Sequence, residues 1–345
     1  MSVLFDLFPA LRASVPWVAL GAWPTRVDDG ARVVSAAQAS GELWLKRDDL
    51  SSPVYGGNKL RLLEHLLGEA RARGRARVYS SGAVGSNFAV ATALHAPSVG
   101  LEPGAICFPE PLTSDGERSH RVVCERARVV EIGHWSLLPV AAERVRRQDE
   151  RDGRPAQVLS QVSLSPESLF GYVAAGFELQ QQVARRECPA PARIVLPIGS
   201  AATSAGILAG LSLGKRLGLG AAAPALDAVR IAAWPLSRRA RVVGLATKAL
   251  ARLANLVGDA SLALGARELL PITVVTDQLG PGYPHGTPAG ASARQRFADA
   301  GFPILDETYS AKAAAHVLAT LGREPGPVLF WCTKSSAPLP EPGPD

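Results

Sequence analysis

Short apolar runs alternate with helical patterns along most of the chain, and this order restricts the possible folds more than any other feature. One run, residues 194–198, is apolar throughout and leads directly into small residues and a helical pattern. A second apolar run covers residues 271–276. Strands that are apolar on both faces are typical of parallel sheets covered by helices. We therefore predict an α/β protein with two doubly wound, three-layer domains, whose ligands bind at the carboxyl ends of the strands.

A smaller α/β unit is predicted in the first half of the chain. Strand patterns near residues 76–80, 105–108 and 128–131 are each followed by a helical pattern. The 345 residues are sufficient for two domains. Residues 338–345 are rich in proline and predict a disordered tail.

The charge of the chain argues against nucleic acid and membranes as partners. The net charge is +6, and the 31 acidic residues are spread along the sequence. The Arg-rich segments 71–77 and 238–241 contain no aromatic residues, which favours solvated surfaces over nucleic-acid grooves. The apolar stretch 242–270 contains charged residues such as Lys248, so it predicts an amphipathic helical region and not a membrane span. A positive charge does suit small anionic ligands.

The cysteines indicate a reducing compartment. Cys107, Cys124, Cys188 and Cys332 are widely separated and form no CxxC pair. This spacing predicts free thiols, with neither a disulfide framework nor a structural metal site. No basic segment precedes the apolar residues near the N-terminus, so we expect no signal peptide and a cytoplasmic protein.

The segment Gly-Gly-Asn-Lys-Leu-Arg, residues 56–61, predicts a loop that leads into a helix. Glycines let the loop pass close to a ligand, and Asn58 is a favourable N-cap. Lys59 then falls in the first helical turn, where free N–H groups disfavour a cation. Burial would favour the neutral amine further, and Schiff-base chemistry requires a neutral amine. Lys59 is therefore a candidate Schiff-base lysine, although an exposed lysine after a glycine turn fits the same residues.

Two further loops are candidate anion sites. Residues 199–206 are small and often hydroxylated, and they lie between a strand and a helix, where backbone N–H groups can hold a phosphate. They match neither the G-x-G-x-x-G nor the Walker A pattern, and a plain tight turn is the alternative. Ser86 and Asn87 begin another helix and could hold a carboxylate, or could simply be an ordinary helix cap.

A lysine suited to imine formation, a phosphate site and a second anion site together indicate pyridoxal phosphate and an amino acid. Residues 43–50 and 56–61 resemble the N-terminal motif of the 1-aminocyclopropane-1-carboxylate (ACC) deaminase/D-cysteine desulfhydrase family. These are tryptophan-synthase-β-like, fold type II pyridoxal-phosphate enzymes. The similarity extends from about Phe8 to Thr333. Further matching segments are Gly85-Ser86-Asn87-Phe88, Gly171-Tyr172-Val173 with Glu178, residues 199–206, Gly282-Tyr283 and residues 305–309.

The resemblance implies pyridoxal 5'-phosphate as the cofactor, with Lys59 holding it and moving protons. Asn87 would bond the O3′ atom of the cofactor ring. Ser86 would contact the substrate carboxylate or relay a proton, and Tyr283 and Tyr309 would flank a small amino-acid substrate. The other cofactor-binding residues that it implies are Gly199, Ser200, Ala201, Ala202, Thr203, Ser310 and Thr333.

The resemblance also implies an architecture. A small domain of residues 62–170 would be inserted into a large domain made of residues 1–61 and 171–337. The cofactor would lie between them, since binding pockets favour domain interfaces. A homodimer is implied as well.

Two hydroxyl residues favour one branch of the family. Deaminases place Glu and Leu where this chain has Ser310 and Thr333. A hydroxyl leaves the pyridine nitrogen largely unprotonated, which suits expulsion of a good β-substituent. We therefore expect β-elimination from D-cysteine, giving pyruvate, ammonia and sulfide. The alternatives are an ACC deaminase and a β-replacement synthase, for which Gly85 could leave space.

The chain also departs from the family at the expected site. Phe88 replaces a histidine, Gly85 a glutamine, and Lys334-Ser335 two glycines. Lys334 would bring a cation to the edge of the cofactor. A catalytically degenerate binding protein of the same fold is therefore the alternative from another functional class.

Overall fold

The computed structural model describes residues 2–232, 236–303, 305–323 and 325–341, and in these ranges the strands form two sheets. The strands are β1 (Val27–Asp29), β2 (Leu43–Lys46), β3 (Arg77–Ala83), β4 (Glu102–Phe108), β5 (Arg128–Glu131), β6 (Ala156–Leu159), β7 (Arg193–Ile198), β8 (Ala225–Arg230), β9 (Ile272–Val275) and β10 (Val328–Trp331). The helices are α1 (Val3–Leu7), α2 (Leu11–Ser14), α3 (Ala31–Ala36), α4 (Lys59–Ala72), α5 (Asn87–His95), α6 (Ser114–Arg126), α7 (Leu138–Arg151), α8 (Phe170–Ala184), α9 (Ala202–Arg216), α10 (Arg239–Val257), α11 (Pro288–Asp299) and α12 (Ser310–Thr320).

The larger sheet has six strands in the order β1-β2-β10-β7-β8-β9. All neighbouring pairs are parallel except β1 with β2. Alternate residues of β7 face opposite layers, with Ile194 and Leu196 in the core beneath α8, α9 and α10, and Val195 in the core beneath α3, α11 and α12. Because both faces are covered, the strand is apolar throughout.

The smaller sheet has four parallel strands in the order β5-β4-β3-β6. Helices α5 and α6 contribute to the core on one face, and α7 packs on the other. Both sheets are thus doubly wound and three-layered, which confirms the predicted fold class. The strands of this sheet lie within residues 62–170, the range predicted for the small domain.

Strands β1, β6 and β8 were not predicted from the sequence, and β9 was predicted but assigned the wrong environment. β1 and β6 are only three and four residues long. β8 contains a central Asp227, which pairs with Arg193 at 2.6 Å and with His316 at 3.2 Å inside the protein. β9 was predicted to be buried, but it is an edge strand in which only Ile272 is buried.

The proline-rich end of the chain is described as far as Glu341. Leu339 is partly buried and packs against the main hydrophobic core. The rest of the predicted tail, residues 342–345, lies outside the described residues. In the described ranges no helix combines the length and apolar character needed to cross a membrane.

Candidate active site

A cavity of about 1260 Å³ lies where the carboxyl ends of the two parallel sheets face each other. This is where doubly wound folds bind their ligands. Residues that the sequence predicted as functional line its walls, namely Lys59, Ser86, Asn87, Gly199, Ser200, Ala201, Ala202, Thr203, Tyr283, Tyr309 and Thr333. Ser310 is the exception, because it lines a small adjacent crevice together with Thr333 and Lys334.

Lys59 is the first residue of α4. In the loop before it, the backbone conformation and the close packing require glycine. Gly57 has φ +99°, and a Cβ there would lie 2.6 Å from the carbonyl oxygen of Thr333. The Lys59 side chain is partly accessible, and none of the described acceptors or carboxylates pairs with its amine. Desolvation lowers the pKa of Lys59 to about 8. A useful fraction of the amine is therefore neutral near neutral pH.

The glycine loop is held by the segment that follows β10. The backbone N–H of Asn58 donates to the carbonyl oxygen of Thr333 at 3.0 Å. Gly57 and Lys334 form an isolated antiparallel bridge, and the N–H of Gly56 donates to Oγ of Ser335 at 2.9 Å. Lys334 and Ser335, which stand where the family has two glycines, thus fix the position of the Lys59 loop.

The prediction that Asn58 caps α4 is wrong. Its backbone is already helical (φ −60°, ψ −22°), whereas a capping residue has an extended backbone. Its side-chain amide instead donates from Nδ2 to Oγ1 of Thr203 at 2.8 Å. This bond joins the start of α4 to the start of α9, so Asn58 links the lysine loop to the predicted phosphate loop.

The predicted phosphate loop ends in an uncapped helix N-terminus. Helix α9 begins at Ala202, and no described side chain caps it. Ala201 has φ +72°, a left-handed conformation that is unfavourable for a residue with a Cβ. Ser204 Oγ, in the first turn, is buried without a partner among the described residues. Free N–H groups and an unpaired hydroxyl at a helix N-terminus are suited to bind an anion.

Ser86 and Asn87 begin α5 on the other side of the cavity. Ser86 is the N-cap, and its Oγ accepts a hydrogen bond from the N–H of Phe88 at 3.2 Å. Its hydroxyl proton can therefore still be donated towards the cavity. Asn87 Oδ1 accepts a hydrogen bond from the hydroxyl of Tyr55 at 3.0 Å. Its Nδ2 group donates to no described residue.

Tyr283 and Tyr309, which the resemblance implies flank the substrate, both line the cavity. The rings of Tyr283 and Tyr309 pack edge to face, with centroids 5.9 Å apart. Burial raises the pKa of both phenols, most strongly that of Tyr309. Both side chains are therefore neutral hydroxyls at physiological pH.

Sequence reasoning missed Tyr55, which lies directly before the glycine loop. Its side chain is buried, and its hydroxyl contacts both Asn87 and the ammonium group of Lys334, the latter at 2.8 Å. The local sequence gives no sign of this contact, since Lys334 lies 279 positions further along the chain.

A buried charge cluster lies beneath the start of α4. Arg61 donates to both oxygens of Asp48 at 2.8 and 2.9 Å, and to both oxygens of Glu178 at 2.9 and 2.8 Å. Its guanidinium carbon lies 3.8 Å from the ring centroid of Trp23. Trp331 Nε1 donates to Asp48 at 2.9 Å. The cluster thereby holds α4, α8 and β10 together.

Comparisons with known proteins identify the family of this chain. A family model described as pyridoxal-phosphate dependent enzyme matches residues 19–333. The chain belongs to this family. Within it, the resemblance to the ACC deaminase/D-cysteine desulfhydrase group is confirmed by relatives named as a putative ACC deaminase, a D-cysteine desulfhydrase and an ACC deaminase homologue.

Three relatives represent that similarity. Nocardicin C-9' epimerase of Nocardia uniformis subsp. tsuyamanensis is 32% identical over 334 residues, covering 94% of each chain. D-cysteine desulfhydrase of Serratia proteamaculans is 28% identical over 310 residues, covering 86% of this chain and 88% of that protein. A crystal structure of an ACC deaminase homologue superposes with a TM-score of 0.75 at 25% identity, covering 96% of this chain and 94% of that one.

The free polar groups around the cavity fit pyridoxal phosphate. The unpaired amine of Lys59 suits its aldehyde, and the uncapped start of α9 with Ser204 suits its phosphate. The free Nδ2 group of Asn87 suits a ring oxygen. Thr333 presents a hydroxyl at the cavity wall, and Ser310 Oγ, buried without a described partner, lies behind it.

Proposed function

We propose that this protein is a pyridoxal-phosphate-dependent lyase that removes the β-substituent of a small amino acid, with D-cysteine as the first candidate substrate. Elimination would release sulfide, and hydrolysis of the remaining three-carbon fragment would give pyruvate and ammonia. When bound, the cofactor supplies an electron-accepting ring that stabilises negative charge at the substrate Cα.

The observation that carries this proposal is a hydroxyl, that of Thr333, at the cavity wall in the position expected to face the pyridine nitrogen. Among the described residues that line the cavity, one is acidic, namely Glu110. It follows β4, a strand of the other sheet, whereas Thr333 follows β10. Asp49, in the adjacent crevice, is held by Arg47 at 2.9 and 2.8 Å. A hydroxyl does not protonate the ring as a carboxylate would, so the site favours a substrate that already carries a good leaving group.

The other residues then have specific tasks. The neutral amine of Lys59 can accept the Cα proton, since desolvation lowers its pKa to about 8. Ser86 would bind the substrate carboxylate, and its position as the N-cap of α5 supports this role. The hydroxyls of Tyr283 and Tyr309 flank the substrate and can donate hydrogen bonds to it.

A second candidate is inversion at Cα of a larger amino acid. The cavity volume of about 1260 Å³ exceeds the range of about 300–1,000 Å³ that is typical of sites for drug-sized ligands. Its outer wall carries Trp135, Leu138 and Pro139, which would contact an apolar side chain. The similarity to a protein named as an epimerase, over 94% of both chains, supports this candidate. Lys59 and Ser86 would be the two proton carriers.

One set of incubations separates these candidates. The holoenzyme is incubated in D₂O with D-cysteine, L-cysteine, ACC, and both enantiomers of methionine and phenylalanine. Sulfide and pyruvate from D-cysteine support the lyase. Deuterium at Cα with loss of optical activity, and without elimination, supports the epimerase. Formation of 2-oxobutyrate from ACC contradicts both candidates, and Lys59→Ala should abolish every reaction.

We also propose the domain division predicted from the sequence, with residues 62–170 inserted between residues 1–61 and 171–337, and a homodimer in the cytoplasm. The separate four-stranded and six-stranded sheets support the division. Light scattering coupled to gel filtration tests the oligomeric state, since a mass near 36.2 kDa would contradict the dimer.

A further inference from the structure

Lys334 carries a charge that no described carboxylate neutralises directly. It lies in the cavity wall, partly buried, directly after Thr333. Asp306 and Asp115 attract it from a distance, but neither forms an ion pair with it within 4 Å. Asp306 is already engaged, because it accepts hydrogen bonds from the backbone N–H groups of Tyr309 at 2.6 Å and Ser310 at 3.1 Å. A partly buried ammonium without a close counter-ion carries a cost in free energy. This cost suggests that Lys334 has a function in the site.

The ammonium of Lys334 is directed at Tyr55. Its Nζ lies 2.8 Å from the Tyr55 hydroxyl oxygen and 5.0 Å from the ring centroid. Tyr55 is buried, and burial raises the pKa of its phenol. The phenol is therefore neutral and carries a single proton. The backbone of Tyr55 is held as well, because His95 Nε2 lies 2.9 Å from its carbonyl oxygen.

The donor and the acceptor in each hydrogen bond between Lys334, Tyr55 and Asn87 follow from the chemistry of these groups. An ammonium can only donate, so Tyr55 must accept from Lys334 and must use its own proton elsewhere. The other partner of the Tyr55 hydroxyl is Asn87 Oδ1 at 3.0 Å, which can only accept. The amide of Asn87 is therefore held with Oδ1 towards Tyr55, which leaves Nδ2 free to donate. Without Lys334, the phenol could equally accept from Nδ2, and the amide could turn over.

We propose that Lys334 and Tyr55 are positioning residues that orient Asn87 and strengthen its hydrogen bond to the cofactor's O3′ atom. The positive charge polarises the Tyr55 hydroxyl, and the polarised hydroxyl polarises the amide in turn. The proposal rests on the assignment of Asn87 to O3′ and is independent of which substrate the enzyme takes. It gives a role to Lys334, the departure from the family pattern that would otherwise only crowd the site.

The test uses the absorbance of the Lys59-bound cofactor, titrated with pH in the absence of substrate. A strong donor to O3′ stabilises negative charge on that oxygen and so makes the neighbouring linkage nitrogen release its proton more readily. Lys334→Met and Tyr55→Phe should each raise this spectroscopic pKa by about one unit. The double variant should show no larger shift than either single variant, because the two residues act in series.

Two further variants serve as controls. Lys248→Met removes the same charge from an exposed position on α10 and should leave the titration unchanged. Lys334→Arg keeps the charge and the donor, so it should restore most of the wild-type value. Circular dichroism and Tm, measured on each variant, separate misfolding from a change at the cofactor.

Several outcomes would overturn the proposal. A shift in Lys334→Met but none in Tyr55→Phe would mean that the charge acts directly and not through Tyr55. An unchanged titration with a raised KM would mean that Lys334 binds the substrate. If the variants fold but neither titration moves, the inference fails while the proposed function stands. A wild-type protein that binds no pyridoxal phosphate would overturn both.

Discussion

At the scale of single residues, the lowered pKa of the Lys59 amine is the property that bears most directly on the proposed chemistry. The Lys59 side chain reaches the cavity, and the surrounding protein partly desolvates its amine. The amine has no described partner, so nothing compensates for this desolvation. An ordinary lysine has a pKa near 10.5 and is almost fully protonated at neutral pH. With a pKa of about 8, Lys59 has a neutral fraction roughly three hundred-fold larger at that pH.

This difference predicts a distinctive pH dependence of cofactor attachment. In protein freed of cofactor, the initial rate of covalent attachment to Lys59 should rise with pH and level off above about pH 8, because only the neutral amine reacts. The rate is measured by borohydride trapping followed by peptide mass analysis. The matched control is a short lysine peptide treated in the same way, whose rate should keep rising to about pH 10. A midpoint for Lys59 close to that of the control would contradict the desolvation argument.

At the scale of elements, the position of the phosphate loop depends on how closely α9 packs on α8. Glycines line this contact on both helices. A Cβ at Gly210 would lie 2.1 Å from the carbonyl oxygen of Val173, and one at Gly176 would lie 2.5 Å from the N–H nitrogen of Leu211. Since backbone lies against backbone, neither helix can yield to a methyl group locally. The two helices would have to separate, and the start of α9 would move with them.

Gly210→Ala should therefore destabilise the protein by about 1–3 kcal/mol, the usual cost of overpacking. It should also weaken cofactor binding. Gly244→Ala is the matched control, because Gly244 is also helical and an added Cβ there would meet open space. That variant should gain up to about 1 kcal/mol from helix propensity. Denaturant unfolding of both variants gives the comparison, and equal stabilities would show that the α8–α9 contact tolerates a methyl group.

At the scale of the whole molecule, the cluster around Arg61 connects parts of the chain that are far apart in sequence. Its guanidinium is almost completely buried and satisfies two carboxylates, one before the glycine loop and one on α8. Removing one partner from a buried pair leaves the other charges uncompensated.

We expect Arg61→Met to lower the free energy of unfolding by about 3–5 kcal/mol, because the buried carboxylates of Asp48 and Glu178 would lose their hydrogen-bonded cation and, among the described cations, only Lys46, 3.7 Å from Glu178, would remain near them. Arg71→Met, at an exposed position on the same helix, should change stability by less than about 0.5 kcal/mol. Chemical denaturation with two spectroscopic probes tests both. Similar small effects in the two variants would mean that the cluster contributes little to stability.

The sequence alone determined the features that depend on short stretches of chain. The glycine loop with Lys59, the strand and small-residue loop at residues 193–206, and the cap at Ser86 each occupy fewer than about fifteen residues, and local backbone chemistry largely fixes such features. The alternation of apolar runs was sufficient for the fold class. The family motifs then gave the cofactor.

Only the tertiary structure decided the contacts that join distant segments. Asn58 looked like a helix cap, but Thr203, 145 positions away, engages its side chain. Asp227 made β8 hard to predict, because its partners Arg193 and His316 lie on another strand and on a helix. Tyr55, Asn87 and Lys334 meet only because β10 ends beside the Lys59 loop and α5 begins across the cavity. Such contacts depend on how whole elements pack, and the periodicity of each segment records only which of its faces is buried.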